Sequence, residues 1–382
     1  MTNYLKRISH SLHQIQRTFF PDLIHEGGPI PETLIKLTYI LDTMHSQKIS
    51  LPEKSWIGRP CKSRRGILNA FIAKSFLNMS TTKHLVERLQ SDQHLRLICG
   101  FETRKSVPSE SVFSRVFAEF AETDLLQRIH EKLITNSCAK NISGHISRDS
   151  TPIKAREKPK KKEKANTSKS PKKRRGRPRK GKAAAAKEPT RVQKQLNMSL
   201  EQMLKDLPMD CDRGTKKNSH GYKETWIGYK LHIDTADNGI PVTAILSSAS
   251  VHDSQVAIPL ATMSAERIHN FYDLMDSAYD QKEIADYSRK LNHVPLIDVN
   301  PRRNKELKKK LASEKKARKT LNWQPPEAIR YRARSGSERT NARLKDEFGA
   351  RFVRVRGPRK VFCHLMIGLL TLTADQLMRM IM

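Results

Sequence analysis

The sequence predicts a mixed α/β core that follows a mostly α-helical region and is interrupted by a basic segment. Three observations lead to this fold class. Apolar side chains recur at helical spacing in residues 64–98, strand-like and helix-like patterns alternate over residues 145–299, and residues 154–194 carry a run of positive charge. The predicted architecture is a mixed sheet flanked by helices, with a disordered basic insert after the first strand.

The first 140 residues are predicted to be mostly helical. Residues 64–77 form an apolar helix, and a second helix begins after Ser80 and Thr81 and ends before Gly100. Two helices across a short turn are either a helix-turn-helix that reads a DNA groove or an ordinary helical hairpin. The pattern alone leaves both interpretations open.

The spacing of apolar residues predicts the strands and helices of the core. A first strand lies around residues 145–151, and the segments WIGYKLHIDTAD and IPVTAILSSAS form a hairpin across the Asn238-Gly239 turn. A helix, a strand, a helix and a strand follow at residues 252–263, 271–275, 283–291 and 294–299. The pair His252-Asp253 could supply ligands, but a helix N-cap at Asp253 is the simpler interpretation.

The basic segment accounts for almost half of the net charge. Residues 154–194 hold 19 Lys or Arg against 3 Glu, which is a net +16, and have few large apolar side chains. Such a segment cannot bury enough apolar surface to fold alone. Its stretch KKRRGRPRKGK resembles an AT-hook, in which an extended Gly-Arg-Pro backbone lies in a narrow minor groove, here through Arg175, Gly176, Arg177, Pro178 and Arg179. A generic arm that contacts any phosphate is the alternative.

The overall composition points to a nucleic-acid partner. The formal charge is +33 and the isoelectric point is near 10.1, so the chain attracts polyanions in a salt-dependent way. No apolar run reaches the roughly 18 residues that a membrane span requires, and the N-terminus lacks the apolar stretch of a signal peptide. We therefore expect no membrane partner and a cytoplasmic location.

Three carboxylates from distant parts of the chain are candidate catalytic residues. Asp149 lies in GHISRDSTP, Asp276 in FYDLMDSAYD, and Glu338 near the C-terminus. Each has a structural alternative. Asp149 could form a turn, Asp276 could cap the segment after a strand, and Glu338 could complete a capping box with Ser335.

Glu338 is part of a regular spacing. Tyr331, Arg334, Glu338 and Lys345 follow one another at intervals of 3, 4 and 7 residues. On an α-helix these offsets fall within an arc of about 60°. A helix that starts at Ser335 would leave Tyr331 and Arg334 on the preceding segment.

These residues, with Asp149 and Asp276, resemble the DDE insertion-sequence transposases of the branch that carries the Tyr-x2-Arg-x3-Glu-x6-Lys signature. The resemblance covers most of residues 55–382. It implies a ribonuclease-H-like fold in which Asp149, Asp276 and Glu338 converge and bind Mg²⁺, with Mn²⁺ as the alternative ion. It further implies that Arg334 and Lys345 hold DNA phosphates and that Tyr331 contacts DNA near the cut end.

The activity implied is cleavage at the ends of an insertion element and transfer of the freed 3′-hydroxyls to target DNA by two-metal-ion phosphoryl transfer.

The implied domains are a helical DNA-end-binding domain at 1–140, a catalytic domain at 141–153 and 195–382, and the basic insert at 154–194. The implied partners are double-stranded DNA, at the terminal repeats and the target, and a second copy of the chain in a homodimer on DNA. The implied location is the nucleoid of a bacterial cytoplasm. Two alternatives remain: a non-catalytic DNA-binding or chromatin-like protein derived from a transposase, and a ribonuclease-H-like nuclease without strand transfer.

Deleting residues 160–190 should weaken DNA binding and flatten its salt dependence, because the deletion removes most of the basic segment. Metal-dependent cleavage should survive. Titrations of labelled DNA at several salt concentrations test this, and an unchanged salt slope would contradict the assigned role.

Overall fold

The computed structural model describes most of the chain. The described residues are 29–47, 62–138, 143–159, 188–217 and 221–380. The AT-hook-like residues 175–179 and most of the predicted insert lie outside these ranges, so their assignment stays a prediction.

The region before the core is helical, as the sequence predicted. Its helices are α1 Glu32–His45, α2 Arg64–Phe76, α3 Thr82–Ser91, α4 Gln93–Ile98, α5 Glu110–Glu122 and α6 Leu125–Cys138. The side chains of Ser63 and Thr81 cap α2 and α3. The single helix expected up to Gly100 is two helices, because the Asp92 side chain accepts a hydrogen bond from the Leu95 amide and starts α4.

The core is a mixed sheet. Its strands are β1 Ser143–Lys154, β2 Asp212–Lys217, β3 Lys223–Ala236, β4 Pro241–Ser248, β5 Asn270–Met275 and β6 Val294–Ile297. The order is β2-β3-β1-β5-β6, and β4 also pairs with β3. The pairs that involve β3 are antiparallel, whereas β1–β5 and β5–β6 are parallel. A parallel pair needs a crossover connection, and the chain between β1 and β5 supplies it.

Three elements between β1 and β3 were not predicted: α7 Arg191–Gln195, α8 Leu200–Asp206 and β2. The sequence of β2, DRGTKK, lacks the apolar alternation of a strand, and its conformation comes from pairing with β3. Gly214 permits this pairing, since a Cβ there would lie 2.4 Å from the Trp226 ring. Thus β1 continues to Lys154 and α7 begins at Arg191, so both ends of the predicted insert lie in regular structure.

Helices flank the sheet and end the chain. They are α9 Ala257–Ala265, α10 Lys282–Lys290, α11 Lys305–Thr320, α12 Pro326–Tyr331, α13 Ser335–Asp346 and α14 Pro358–Arg379. Short 3₁₀ turns lie at Asp253–Val256, Ser277–Tyr279 and Arg332–Arg334. This mixed sheet, its flanking helices and the helical region before it match the predicted architecture in outline and are consistent with a ribonuclease-H-like core.

Helix α14 joins the helical region to the sheet. It packs against α1, α2, α5 and α6, and its apolar side chains share one hydrophobic cluster with those helices and with β3 and β4. Among the described residues it is the one helix long and apolar enough to cross a membrane. That is weak evidence for a span, because most of the helix is buried in the protein core.

A buried ion pair lies inside the sheet. Arg148 on β1 donates to both carboxylate oxygens of Asp234 on β3, at 2.8 and 2.7 Å, and both side chains are almost fully buried. Ser264 donates a further hydrogen bond of 2.7 Å to Asp234. Each charge is therefore fully partnered, which is the condition for burying ions at a tolerable cost.

The change Asp234→Ala should lower the free energy of unfolding by about 3–5 kcal/mol, because it leaves Arg148 buried without its partner. Denaturant unfolding of the full chain measures the loss. The control Asp286→Ala breaks the exposed Asp286–Arg289 pair and should cost no more than about 1 kcal/mol. Equal losses in the two variants would contradict the importance of the buried pair.

Candidate active site

Two of the predicted carboxylates lie on neighbouring parallel strands. Arg148 of β1 is in register with Met275 of β5, so the next residues, Asp149 and Asp276, lie side by side. Asp149 is within a strand, and the interpretation of this residue as a turn former is wrong. Asp276 follows the last residue of β5, where its Oδ1 accepts a 2.9 Å hydrogen bond from the Ala278 amide. The predicted cap at Asp276 is therefore present, and it does not prevent a catalytic role for the same carboxylate.

Helix α13 brings Glu338 to the same place. It packs across β1 and β3, and Asn341 donates a 3.0 Å hydrogen bond to Oδ2 of Asp149. The capping box between Ser335 and Glu338 does not form, because Arg334 occupies the N-cap position and no side chain bonds there. The Glu338 carboxylate is instead directed toward Arg334.

Arg334 lies between two of the acids. Its Nη2 is 2.5 Å from Oε1 of Glu338, and its Nη1 is 3.8 Å from Oδ1 of Asp149. The guanidinium group thus supplies positive charge where two carboxylates approach each other. Arg334 belongs to the 3₁₀ turn and Tyr331 ends α12, so the arrangement of all four residues on one helix is wrong. The alternative, a helix that starts at Ser335 and leaves Tyr331 and Arg334 on the preceding segment, is confirmed. The helix begins at Ser335 because the chain enters it through that turn.

The protein disfavours ionisation of the paired aspartates. Burial raises the pKa of Asp149 to about 6, and the charges of Asp276 and Glu338 add to the effect while Arg334 opposes it. Burial also raises the pKa of Asp276, with a contribution from the charge of Asp253. A cation bound beside these groups would relieve both effects.

Asp253 is a fourth carboxylate of the site, which the sequence analysis considered as a ligand but interpreted as a helix N-cap. The expected N-cap role is wrong, because His252 takes that position. Asp253 instead accepts a 2.9 Å hydrogen bond from Lys230 Nζ and one from Ser150, the residue after Asp149. Burial opposes its ionisation, but His232 and Lys230 outweigh burial and lower the pKa of Asp253. The local sequence does not show these contacts, since its partners lie on other strands.

Two further side chains complete the surroundings. Asp298, just after β6, accepts a hydrogen bond from Tyr331, and burial together with the charge of Asp298 raises the pKa of Tyr331. The buried hydroxyl of Tyr279 lies near Asp149, Asp253 and Asp276, and it has no hydrogen-bond partner among the residues that the structure describes. Sequence reasoning missed both residues because their significance depends on these neighbours.

Lys345, the last member of the spacing, lies on α13 at the edge of the site. Burial lowers its pKa to about 8, and the nearby cations Lys216 and Arg351 lower it further. It lines an open cavity of about 770 Å³ that extends away from Asp149. A cation in a cavity of this kind is suited to an anionic ligand.

The donor chemistry of the site fits a hard divalent cation. Asp149, Asp276 and Glu338 offer only oxygen ligands, and the unpartnered Tyr279 hydroxyl adds a polar atom beside two of them. In the part of the chain that the structure describes, no three acidic, His or Cys side chains already form a metal-binding group. Arg334 lies between Asp149 and Glu338, which accounts for their separation.

The change Asp149→Asn should stabilise the metal-free protein at neutral pH by about 1–3 kcal/mol, because it removes a carboxylate whose pKa is raised to about 6. The sign follows from linkage: the native chain loses stability as the pH rises from the unfolded value near 4 through 6, and the amide variant does not. Thermal melts in a chelator should show the advantage growing over that range.

The matched control is Asp286→Asn, which neutralises an exposed carboxylate on α10. It should show no such pH-dependent gain. A destabilised Asp149→Asn variant at pH 7.5 would contradict the described electrostatics.

Comparison with known protein families agrees with this geometry. Residues 142–374 match the family described as "Transposase DDE domain", and residues 32–119 match "Transposase domain (DUF772)". No curated protein and no solved structure matches the chain significantly. The first match covers the sheet, all three carboxylates and more than half of the sequence, so the chain belongs to the transposases that carry a DDE domain.

Proposed function

We propose that this chain is an insertion-sequence transposase that cuts DNA at the ends of its element and joins the freed 3′-hydroxyls to target DNA. The observation that supports this most is the meeting of Asp149, Asp276 and Glu338 from three distant segments. Asp149 lies on β1, Asp276 directly follows the adjacent strand β5, and Arg334 bridges Asp149 and Glu338. A protein that only binds DNA gains nothing from carboxylates directed at phosphates.

Members of this family normally use divalent metal ions, and we assign the ligands here to Asp149, Asp276 and Glu338. Mg²⁺ is the expected ion, with Mn²⁺ as the alternative. Two such ions would activate a water or a 3′-hydroxyl and stabilise the leaving oxygen. The protein contributes by holding the carboxylates in place: Asn341 orients Asp149, and the Ala278 amide orients Asp276.

We assign phosphate handling to the basic members of the site. The planar guanidinium of Arg334 suits a phosphate that replaces its present carboxylate partners, and Lys345 offers a point charge at the edge. Tyr331 lies beside Arg334, whose guanidinium is 6.0 Å from the Tyr331 ring centroid. These positions favour the branch of the family that carries the Tyr-x2-Arg-x3-Glu-x6-Lys signature within a ribonuclease-H-like core.

Double-stranded DNA is the proposed partner, at both terminal repeats and target. The net charge of +33 supports it, as does helix α11, which is rich in lysine and buries none of its residues. Coordinated cutting of two ends calls for a homodimer on DNA. We place the protein at the bacterial nucleoid, with residues 1–140 at the element end and the AT-hook-like arm as an additional DNA contact.

Cleavage of a labelled duplex that carries the DNA flanking the coding sequence tests the proposal. With Mg²⁺ or Mn²⁺ the native chain should nick at the element boundary, and Glu338→Gln should lower the rate by at least about 100-fold because it removes an anionic ligand. Binding of the same duplex should change less than twofold.

Glu327→Gln is the control, since it makes the same chemical change at an exposed position on α12. It should cleave like the native chain. Binding without cleavage by the native chain would favour a DNA-binding protein, and cleavage without joining would favour a nuclease.

A further inference from the structure

A second cavity lies away from the carboxylates, between the helical region and the C-terminal helix. It has a volume of about 480 Å³ and is lined by residues of α2, α5, α14 and the chain around residues 348–356. Its floor is apolar, with Phe71 and Phe117 among its residues. Its cationic lining residues are Lys74, Arg156, Arg354, Arg356 and Lys360, and none of the described lining residues is Asp or Glu.

Keeping these side chains charged inside the cavity costs free energy, because burial and like charges disfavour the charged forms. Burial lowers the pKa of Lys74 to about 8, and the charge of Arg354 lowers it further. Burial and the charge of Lys74 also lower the pKa of His364, which lines the same cavity, to about 4. Like charges gathered without an acid are stabilised when an anion binds among them.

This cavity shares lining residues with the cavity at the edge of the active site. Arg156 and Arg354 line both it and the cavity of about 770 Å³ that contains Lys345. The larger cavity adds the cations Lys154, Lys216 and Arg351, and its one acid, Glu224, lies 3.7 Å from Lys216. A line of positive charge therefore runs from Lys345, beside Asp149, to Lys74 on α2.

We propose that the cavity around Lys74, Arg354 and Lys360 binds the phosphodiester backbone of the DNA whose scissile phosphate lies at Asp149, Asp276 and Glu338. This inference rests on the proposed function and names the path of the substrate beyond the catalytic groups. DNA fits because it carries a regular series of phosphates that can follow a line of cations. The basic arm of this chain is a poor occupant, since residues 154–194 carry a net +16.

The first test compares two double variants in binding the flanking-DNA duplex without divalent metal. Arg354→Ala/Lys360→Ala should reduce the slope of log affinity against log salt by about 2, since each lost phosphate contact reduces it by about 1. The control Lys132→Ala/Lys290→Ala removes two exposed cations outside both cavities and should leave the slope unchanged. Equal slopes in the two double variants would overturn the proposal.

The second test separates binding from folding. Lys74→Met keeps the length of the side chain and removes a costly charge, so its melting temperature should equal or exceed that of the native chain. Its salt slope should fall by about 1. A stable Lys74→Met protein with the native slope would exclude Lys74 from the DNA path and overturn the assignment.

A third test locates the contact on the DNA. A series of duplexes, each with one neutral methylphosphonate, should weaken native binding at a few positions, and at least one of these should have no effect on Arg354→Ala/Lys360→Ala. Identical position profiles for the two proteins would contradict the site. Failure of the native chain to bind the duplex at all would instead overturn the proposed function on which this inference rests.

Discussion

The need to hold several carboxylates close together is the constraint on which this structure depends. Asp149, Asp253 and Asp276 are near neighbours, and Glu338 approaches Asp149 through Arg334. Such crowding raises the free energy of the folded chain unless positive charge or hydrogen bonds offset it. Lys230 provides positive charge at Asp253, and Arg334 provides it between Asp149 and Glu338. The pKa of Asp149 is still raised, first by burial and then by the charges of Asp276 and Glu338.

The framework beneath the site explains how the crowding is tolerated. Arg148 comes directly before Asp149, and its Nη1 lies 3.3 Å from the Met275 sulfur, directly before Asp276. The same arginine donates a hydrogen bond to each carboxylate oxygen of Asp234. One buried side chain thus contacts the three central strands next to the two aspartates. The sheet thus limits the distance between Asp149 and Asp276. Helix α13 limits the movement of the Asp149 carboxylate through the hydrogen bond that Asn341 donates.

Much of this arrangement could be predicted from the sequence. Strands β1, β3, β4, β5 and β6 and the helices between the last three follow from apolar periodicity. Glu338 stands out through the signature spacing, and Asp149 and Asp276 were chosen with it through the family resemblance. Strand β2 could not be predicted, because DRGTKK has no strand-like pattern and acquires its conformation from β3. The place of Asp253, Asp298 and Tyr279 in the site could not be predicted either, and the weak ligand signal at His252-Asp253 was set aside for an N-cap. Their environments are made by residues far away in the chain, and local pattern carries no information about such contacts.

The signature also shows where spacing alone misleads. Intervals of 3, 4 and 7 residues place four side chains on one face of an ideal helix, yet the chain passes through a 3₁₀ turn at Arg332–Arg334 before α13 begins. Arg334 still reaches Glu338, four residues later, because the turn keeps a helical direction. The helix that starts at Ser335, with Tyr331 and Arg334 on the preceding segment, was the alternative that the sequence left open, and the structure has that arrangement.

Anomalous diffraction from crystals of the full chain grown with Mn²⁺ would show whether Asp149, Asp276 and Glu338 bind the metal together. Anomalous peaks are expected within about 2.5 Å of carboxylate oxygens of Asp149 and Asp276, with Glu338 on the same ions and the Arg334 guanidinium displaced from Asp149. Ordered carboxylates without a peak at saturating Mn²⁺, or peaks only at other acids, would contradict this expectation.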